Sequence, residues 1–418
     1  MLLICDNEHI DKFKKVRPAI PPLKGIIVTT GSSEGALSMS ELKSAHHSHY
    51  EAPNLRPDSV LAIIFSSGTT GLPKGVQLTH RNVIAQMISM GHLEESIFEE
   101  GDACLCSSSL SHIGGFWLCF GFLGNGCKVV LFHGSDVTRM LRTIEKHKVT
   151  SVLLYPTLML KLNQQPLLGQ FDVSSLRKMM VVGGTVTGHL LQSVTKKLNL
   201  SGIAKGYGMT EVAGAITFST PQLSDTKTVG KPVAFVEIKV VDPETRKILG
   251  PLQQGEICVR GPSTFKGYFG RPKETADTYE DDFVKTGDTG YYTAEGLFYV
   301  CGRIKELIKC MDQQVAPAEL EDLLAADAGV RHVVVAGVPH PKFGEAARAF
   351  VVPSQSLQGP SEEHQEANRL KELVAASLAY HKHLHGGVEF MEHIPDTASG
   401  KNVRMAVTES YMQRMNLQ

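Results

Sequence analysis

The 418-residue sequence predicts an α/β protein: a large N-terminal domain of helix-wrapped mixed sheets with a small β-rich subdomain, then a small α+β C-terminal domain. Three observations predict it. Between about Val60 and Gly206, apolar β-branched runs alternate with amphipathic patterns of helical period, which implies parallel strands wrapped by helices. From Lys227 to Val300 the texture changes to short strands and Gly/Pro turns, as in KPVAFVEIKVVD, GEICVRG and GLFYVCG. After Arg303 it changes again, to a helix, two strands and a further helix. The expected organisation is 1–302 for the large domain, with 227–300 as its β-rich subdomain, and 303–418 for the small one.

In chain order, the expected strands of the first region are Val60–Phe65, Lys128–Phe132, Ser151–Leu154 and Met179–Val182, and the expected helices are Asn82–His92, Thr138–Lys148 and Leu190–Leu198. In the last region AELEDLLAA reads as a helix with Pro317 suited to its first turn. HVVVAGV and AARAFVV read as strands joined by a turn around Pro339–Gly344. NRLKELVAASLAYH reads as an amphipathic helix through Leu370, Leu373, Val374 and Leu378.

Composition narrows the function classes. Hydrophobic residues make up 42% and charged ones 20%, as in a globular protein, and 42 basic against 43 acidic residues leave a net charge of -1. That balance argues against a nucleic-acid or membrane-surface partner. No apolar run approaches the ~20 residues of a membrane helix. The opening MLLICDNEHIDKFKK lacks a signal-peptide pattern, and the final MNLQ is not a peroxisomal S-K-L address, so a cytoplasmic protein is expected, with a peroxisomal one as the alternative. The eight cysteines are scattered without zinc-type spacing and read as reduced thiols.

The strongest chemical signal is SSGTTGLPKG: Ser66, Ser67, Gly68, Thr69, Thr70, Gly71 and, after Pro73, Lys74. An apolar strand ends at Phe65, and a helix is expected from near Thr79. The loop between offers glycines for close backbone approach, hydroxyls to donate to phosphate oxygens and an ammonium to pair with them. It is not a Walker A loop, because Pro73 precedes Lys74 and Gly75 follows it. Four hydroxyls in five positions are more than an ordinary turn needs.

This loop resembles the signature of the adenylate-forming superfamily, which includes acyl-CoA synthetases, 4-coumarate–CoA ligases, beetle luciferases and peptide-synthetase adenylation domains. Matching motifs run from Leu61 to Arg404. In SLSHIGG, the resemblance implies that His112 borders the acyl pocket and pyrophosphate exit, although a lone histidine is ordinarily just a satisfied residue. In VVGGTVTG it places Gly183, Gly184 and Thr185 beside adenine. In GYGMTE it implies that the segment Gly206, Tyr207, Gly208, Met209 holds the nucleotide, with Tyr207 stacked on adenine. Thr210 would bond the α-phosphate and Glu211 would bind Mg²⁺, a hard cation suited to carboxylate and phosphate oxygens. Asp288 in KTGDTGYY would accept from both ribose hydroxyls. Arg303 in GRIKELIK would contact ribose and phosphate, with Lys305 and Glu306 solvated and Lys309 on the face used for the second half-reaction. Lys401 in SGKNVR would swing over the reacting carboxylate, where one well-aimed donor is worth ~3–4 kcal/mol.

The implied reaction needs no acid/base dyad and no protein nucleophile. A carboxylate attacks the α-phosphorus of ATP, pyrophosphate leaves with Mg²⁺, and coenzyme A takes the acyl group. Catalysis is positioning and charge stabilisation. The resemblance implies that a mobile small domain serves the two half-reactions in turn by rotating about Gly302. Two departures stand out. The resemblance begins inside the large domain, without the family's usual opening segment, which predicts exposed apolar surface near the phosphate-loop strands; a short isoform, a fragmentary gene model and a degraded relative stay open. Asp312 stands where relatives carry a glycine beside the pantetheine arm, which puts the thioester step in doubt. The expected substrate is an apolar small-molecule acid, fatty or arylpropenoic, in a pocket lined by His112, Gly114, Gly183, Val212, Ala213 and Gly214, because small uncharged residues offer an ammonium no partner. The alternatives are an adenylate-only or luciferase-like enzyme and a non-catalytic nucleotide-binding relative.

Overall fold

The computed structural model describes residues 2–16, 23–45, 53–66, 73–91, 99–184, 186–221, 225–311, 313–395 and 403–415. These form two compact units, 1–55 and 56–418.

The first unit is a parallel three-stranded sheet in the order β1 (Leu2–Cys5), β2 (Gly25–Val28), β3 (Leu37–Ser38), with α1 (Ile10–Val16) after the first strand. Helix α2 (Met39–Ser44) begins at a capping box in which Ser38 and Glu41 satisfy each other's backbone N–H groups.

The second unit opens with an antiparallel hairpin, β4 (Val60–Ser66) and β5 (Lys74–Thr79), in which Ser66 lies opposite Lys74. The sequence reading ran from loop straight to helix. A strand intervenes, and α3 (His80–Gly91) starts only after Thr79, where Asn82 and Thr79 cap each other. Strand β4 turns Ile64 inward and leaves Leu61, Ile63 and Phe65 exposed, an apolar surface on the strand that leads into the phosphate loop.

The central layer is a seven-stranded sheet. Its elements in chain order are β6 (Ala103–Cys106), α4 (Ile113–Gly124), β7 (Lys128–Leu131), α5 (Val137–His147), β8 (Ser151–Leu154), α6 (Pro156–Asn163), β9 (Lys178–Val182), α7 (Gly188–Leu198), β10 (Ile203–Met209), β11 (Gly214–Phe218) and β12 (Lys231–Pro232). The order β12-β11-β10-β9-β8-β6-β7 is parallel from β10 to β7, while β11 and β12 run antiparallel. Both faces are covered, so side chains alternate between two cores. Leu105, Val152, Leu154, Met179 and Val181 face α5, α6 and α7. Cys104, Cys106, Leu153, Met180 and Ala204 face α4 through Trp117, Leu118 and Phe122. Each fully buried aliphatic side chain contributes ~1.5–3 kcal/mol. Helix α4 escaped the sequence reading because IGGFWLCFGFLG is apolar all round, which leaves no period to read. Strands β6 and β10 escaped it because ACLC is short and KGYGM is glycine-rich. At the amino end of β6, buried Asp102 bonds Thr150 at 2.7 Å and pairs with Lys178 at 3.1 Å and Arg177 at 2.9 Å.

The β-rich region supplies an antiparallel sheet of β13 (Glu237–Val241), β14 (Gly255–Arg260), β16 (Tyr279–Glu280), β17 (Phe283–Tyr292) and β18 (Phe298–Arg303). It also supplies β15 (Gly267–Tyr268), which joins β5, and α8 (Pro272–Thr278). The remaining elements are β19 (Ile308–Cys310), β20 (Gln313–Val315), α9 (Pro317–Ala325), β21 (Val330–His340), β22 (Gly344–Pro353), α10 (Pro360–Ser377), β23 (Gly387–Phe390) and α11 (Val403–Arg414). They form an α+β layer with α9 and α10 on one face and α11 on the other. Helix α10 starts eight residues before the expected Asn368, after Gly359 at φ 89°, and ends at Ser377, before Leu378. The expected boundary at Gly302–Arg303 falls within β18, where Gly302 has φ 140° and pairs with Thr289. All eight cysteines are free thiols. Among the described residues, no helix is long and apolar enough to cross a membrane.

Candidate functional site

In an open α/β sheet, ligands sit at the carboxyl ends of the strands. Here those ends carry Ser107 and Ser108 after β6, Tyr155 after β8, Gly183 after β9 and Thr210 after β10. His112 caps α4, its Nδ1 accepting from the Gly114 N–H at 3.1 Å. The Tyr155 hydroxyl lies 3.0 Å from the same Nδ1 and 2.6 Å from the Ser108 hydroxyl. The His112 and Tyr155 rings meet edge to face, with centroids 5.8 Å apart. Burial pushes the Tyr155 phenol's pKa up, so it stays a protonated donor. The ring lies against the side of Gly183 where a Cβ would stand; Gly183 turns at φ 83° and is otherwise exposed. Gly184 is exposed, and Thr185 lies outside the described residues. Tyr155 was not singled out in the sequence, because a tyrosine before a proline at a strand end carries no local mark of function.

The second cluster joins residues far apart in the chain. On β10, Tyr207 donates to Asp288 Oδ2 at 2.7 Å, and Arg303 Nε pairs with Asp288 Oδ1 at 2.7 Å. Asp288 and Arg303 are opposite each other across β17 and β18, which fixes the pair. Asp288 does accept at both oxygens, as the sequence suggested, but from protein groups. Burial, then the Asp288 charge, pushes the Tyr207 phenol well up. Gly208 allows close passage of the bulged β10–β11 ladder: a Cβ there would sit 2.1 Å from the Gly214 carbonyl.

The third cluster surrounds Glu211. Thr210 and Glu211 are buried in a single 3₁₀ turn that ends at Ala213 in left-handed geometry, φ 54°. Glu211 Oε1 accepts from the Tyr268 hydroxyl at 2.9 Å and the Ser66 hydroxyl at 3.2 Å. The Lys74 ammonium lies 4.9 Å from the Tyr268 ring centroid. The two described ends of the phosphate loop, Ser66 and Lys74, thus reach Glu211 directly and through Tyr268. Ser67, Gly68, Thr69, Thr70 and Gly71 lie outside the described residues. Tyr268 is the second residue that sequence reasoning missed; only the β15–β5 pairing brings it here. Burial and the Glu211 charge raise its phenol's pKa. Among the described residues no group of three His, Cys, Asp or Glu could hold a metal alone. The buried Glu211 carboxylate fits a Mg²⁺ that takes its other ligands from phosphate and water.

In the C-terminal layer, the Lys309 N–H donates to Glu345 at 2.9 Å and the residue sits on β19. Glu306, expected to be solvated, is half-buried and ion-paired. Arg404 binds it at 2.5 Å, Glu321 at 2.7 Å and the Val335 carbonyl at 2.7 Å, tying α11 to the segment after β18. Asp312 and Lys401 lie outside the described residues.

A hydroxyl-and-lysine hairpin beside a buried carboxylate, at the carboxyl end of a mostly parallel sheet, defines a nucleotide-handling α/β class. Within it, the AMP-binding enzyme profile matches residues 1–269 and the AMP-binding enzyme C-terminal domain profile matches 319–401. The chain belongs to this adenylate-forming family. It is 36% identical over 360 residues to luciferin 4-monooxygenase of Nipponoluciola cruciata, covering 85% of this chain and 64% of that protein. It is 33% identical over 390 residues to 4-coumarate–CoA ligase of Pinus taeda, covering 91% of this chain and 71% of that protein. The chain thus spans less than two thirds of the length of the first curated relatives it matches, 64% and 62%. Among solved structures, ATP-bound MatB from Rhodopseudomonas palustris superposes with a TM-score of 0.85 at 25% identity, over 98% of this chain and 79% of that one. The anthranilate CoA ligase AuaEII shares the fold with a TM-score of 0.90 at 24% identity, over 100% of this chain and 79% of that one.

Proposed function

We propose that the protein uses ATP to activate an apolar carboxylic acid as an acyl-adenylate and transfers the acyl group to coenzyme A. The observation that carries this reading is the Glu211–Ser66–Tyr268–Lys74 cluster, because it gathers a buried carboxylate, hydroxyls and a cation where the phosphate loop begins and ends. Membership of a family with ATP-bound members supports the choice of nucleotide.

In this mechanism Ser66, Lys74 and Thr210 hold phosphate oxygens, and Glu211 is the residue that would hold Mg²⁺. The cation's chemistry is charge neutralisation on the phosphates. Asp288 and Arg303 take the ribose, which requires Asp288 to exchange protein donors for ribose hydroxyls, and Tyr207 with the Gly183–Gly184 backbone borders the base. His112 borders the acid. The acid's carboxylate oxygen forms the bond to the α-phosphorus while the bond to pyrophosphate breaks, and Lys401 neutralises the charge that accumulates. The small domain then turns about the Gly302 region, bringing Lys309 and Asp312 to the coenzyme A path.

An adenylate-only or luciferase-like outcome is the second reading. Asp312, in place of a glycine, and the similarity to luciferin 4-monooxygenase favour it. ATP–pyrophosphate exchange with a panel of fatty and arylpropenoic acids, then AMP release with coenzyme A, tests both. Exchange followed by CoA-dependent release supports the ligase. Exchange alone supports the second reading, and no exchange from folded, ATP-binding protein overturns both.

A further inference from the structure

The glycines that make the acid pocket look open in the sequence are filled by the protein's own side chains. A Cβ on Gly183 would lie 2.8 Å from two Tyr155 ring carbons, and one on Gly114 would lie 2.7 Å from the Tyr155 hydroxyl. A Cβ on Gly214 would lie 2.8 Å from the Trp117 ring and 3.1 Å from Gln86. The same two aromatic side chains therefore use the room at all three glycines. Tyr155 is held in place: Ser108 and His112 both bond its hydroxyl, and Ser108 is itself buried. Beside Gly214, Trp117 on α4 is buried in the core, and the fully buried Gln86 donates to the Ala215 carbonyl at 3.1 Å.

We propose that Tyr155 is the specificity-determining residue of the acid pocket. Its ring, held by Ser108 and His112, stops the pocket at a length that admits a compact acid, one ring with a short arm or a short chain, and refuses long-chain fatty acids. The proposal rests on the acyl-adenylate reading of the site. A long acyl chain needs an apolar tube running on past Gly183 and Gly114. At that point stands a phenol whose ring cannot swing away without breaking both of its hydrogen bonds, which would strand a buried hydroxyl. A flat or short acid ends against the ring and takes the favourable edge or face contact an aromatic offers.

The test is calorimetric binding of N-acylsulfamoyl adenosines, stable mimics of acyl-adenylates, carrying benzoyl, cinnamoyl, hexanoyl, dodecanoyl and hexadecanoyl groups. Native protein is expected to bind the compact members ~100-fold more tightly than hexadecanoyl, since even one excess methylene in a closed pocket costs ~10–200-fold. Tyr155→Ala is expected to narrow that ratio at least ~10-fold. Tyr155→Phe keeps the ring but loses both anchoring bonds, so it should narrow the ratio less than Tyr155→Ala does. Hexadecanoyl binding as tight as cinnamoyl in native protein overturns the proposal, as does an unchanged ratio in Tyr155→Ala. The native length profile decides the matter even if the alanine variant does not fold. Binding of every analogue with a flat profile sinks the pocket assignment alone, whereas no binding of any analogue by folded protein sinks the acyl-adenylate reading with it.

Discussion

The Tyr207–Asp288–Arg303 side of the site and the His112–Tyr155 side sit at the ends of strands in one unit, yet they are built differently. On the first, residues with distinctive chemistry meet one another: phenol to carboxylate at 2.7 Å and carboxylate to guanidinium at 2.7 Å. On the second, the residues read as important in the sequence were glycines and a histidine, and an unremarked tyrosine fills the space they leave. Charge and hydrogen bonding announce themselves in a motif because few residue types can supply them. Volume does not, because the side chain that fills a glycine's room comes from another strand.

Four substitutions would break or sharpen this contrast. The largest effect is expected at Glu211, the carboxylate shared by Ser66 and Tyr268. Glu211→Ala should lower the exchange rate by ~10²–10³, the range for removing one electrostatic element aimed at the reacting phosphate. A rate within threefold of native would remove Glu211 from the phosphate site.

Asp288→Ala should come next, because it leaves the Tyr207 phenol and Arg303 without their shared acceptor. A buried pair broken on one side costs ~3–5 kcal/mol. Arg303 is 38% exposed, so solvent screening reduces the expectation to about 2–3 kcal/mol, read by urea unfolding. No loss of stability would mean that the Tyr207–Asp288–Arg303 side is not held together by that carboxylate.

Asp102, at the opposite end of β6, is the control away from both sides. Burial raises its pKa, but the bonds from Thr150, Glu99 and Lys178 outweigh that and hold it below the usual value. A carboxylate whose folded pKa is depressed adds stability that is fully present above its unfolded pKa of ~3.9 and is lost as pH falls through the folded value. Asp102→Asn should therefore cost about 1–2 kcal/mol at neutral pH. The gap to native should close below ~pH 4, while exchange activity per folded molecule is unchanged. A gap that persists at low pH would show that the lost term is not the charge.

The smallest effect belongs to Tyr155→Phe. Losing the hydroxyl's bonds to Ser108 and His112 should cost about 1 kcal/mol of unfolding free energy. A cost above about 3 kcal/mol would indicate a buried network wider than these two partners.

Much of the architecture was legible beforehand. Strands at Ser151–Leu154 and Lys178–Val182 follow from short continuous apolar runs, and helices at Val137–His147 and Gly188–Leu198 from a 3.6-residue apolar period. Asp136 and Thr187 as N-caps mark where those helices begin. Elements without such a signal were missed, above all β5, whose Lys74–Thr79 lies inside what reads as loop and helix start. The three-stranded sheet of the first unit was missed too, because its strands are short and only one of their residues before Ser38 is fully buried.

By itself the sequence determined the fold class, the family and the chemical types available to the site, because periodicity and motif chemistry are written over a few consecutive residues. Only the tertiary structure decided which of those groups touch. Ser66 reaches Glu211 across 145 positions, Tyr268 arrives by a two-residue strand, and Tyr155 takes the room of Gly114 and Gly183. Contacts at such separations depend on how sheets pack and register against each other, and no local run of residues encodes that.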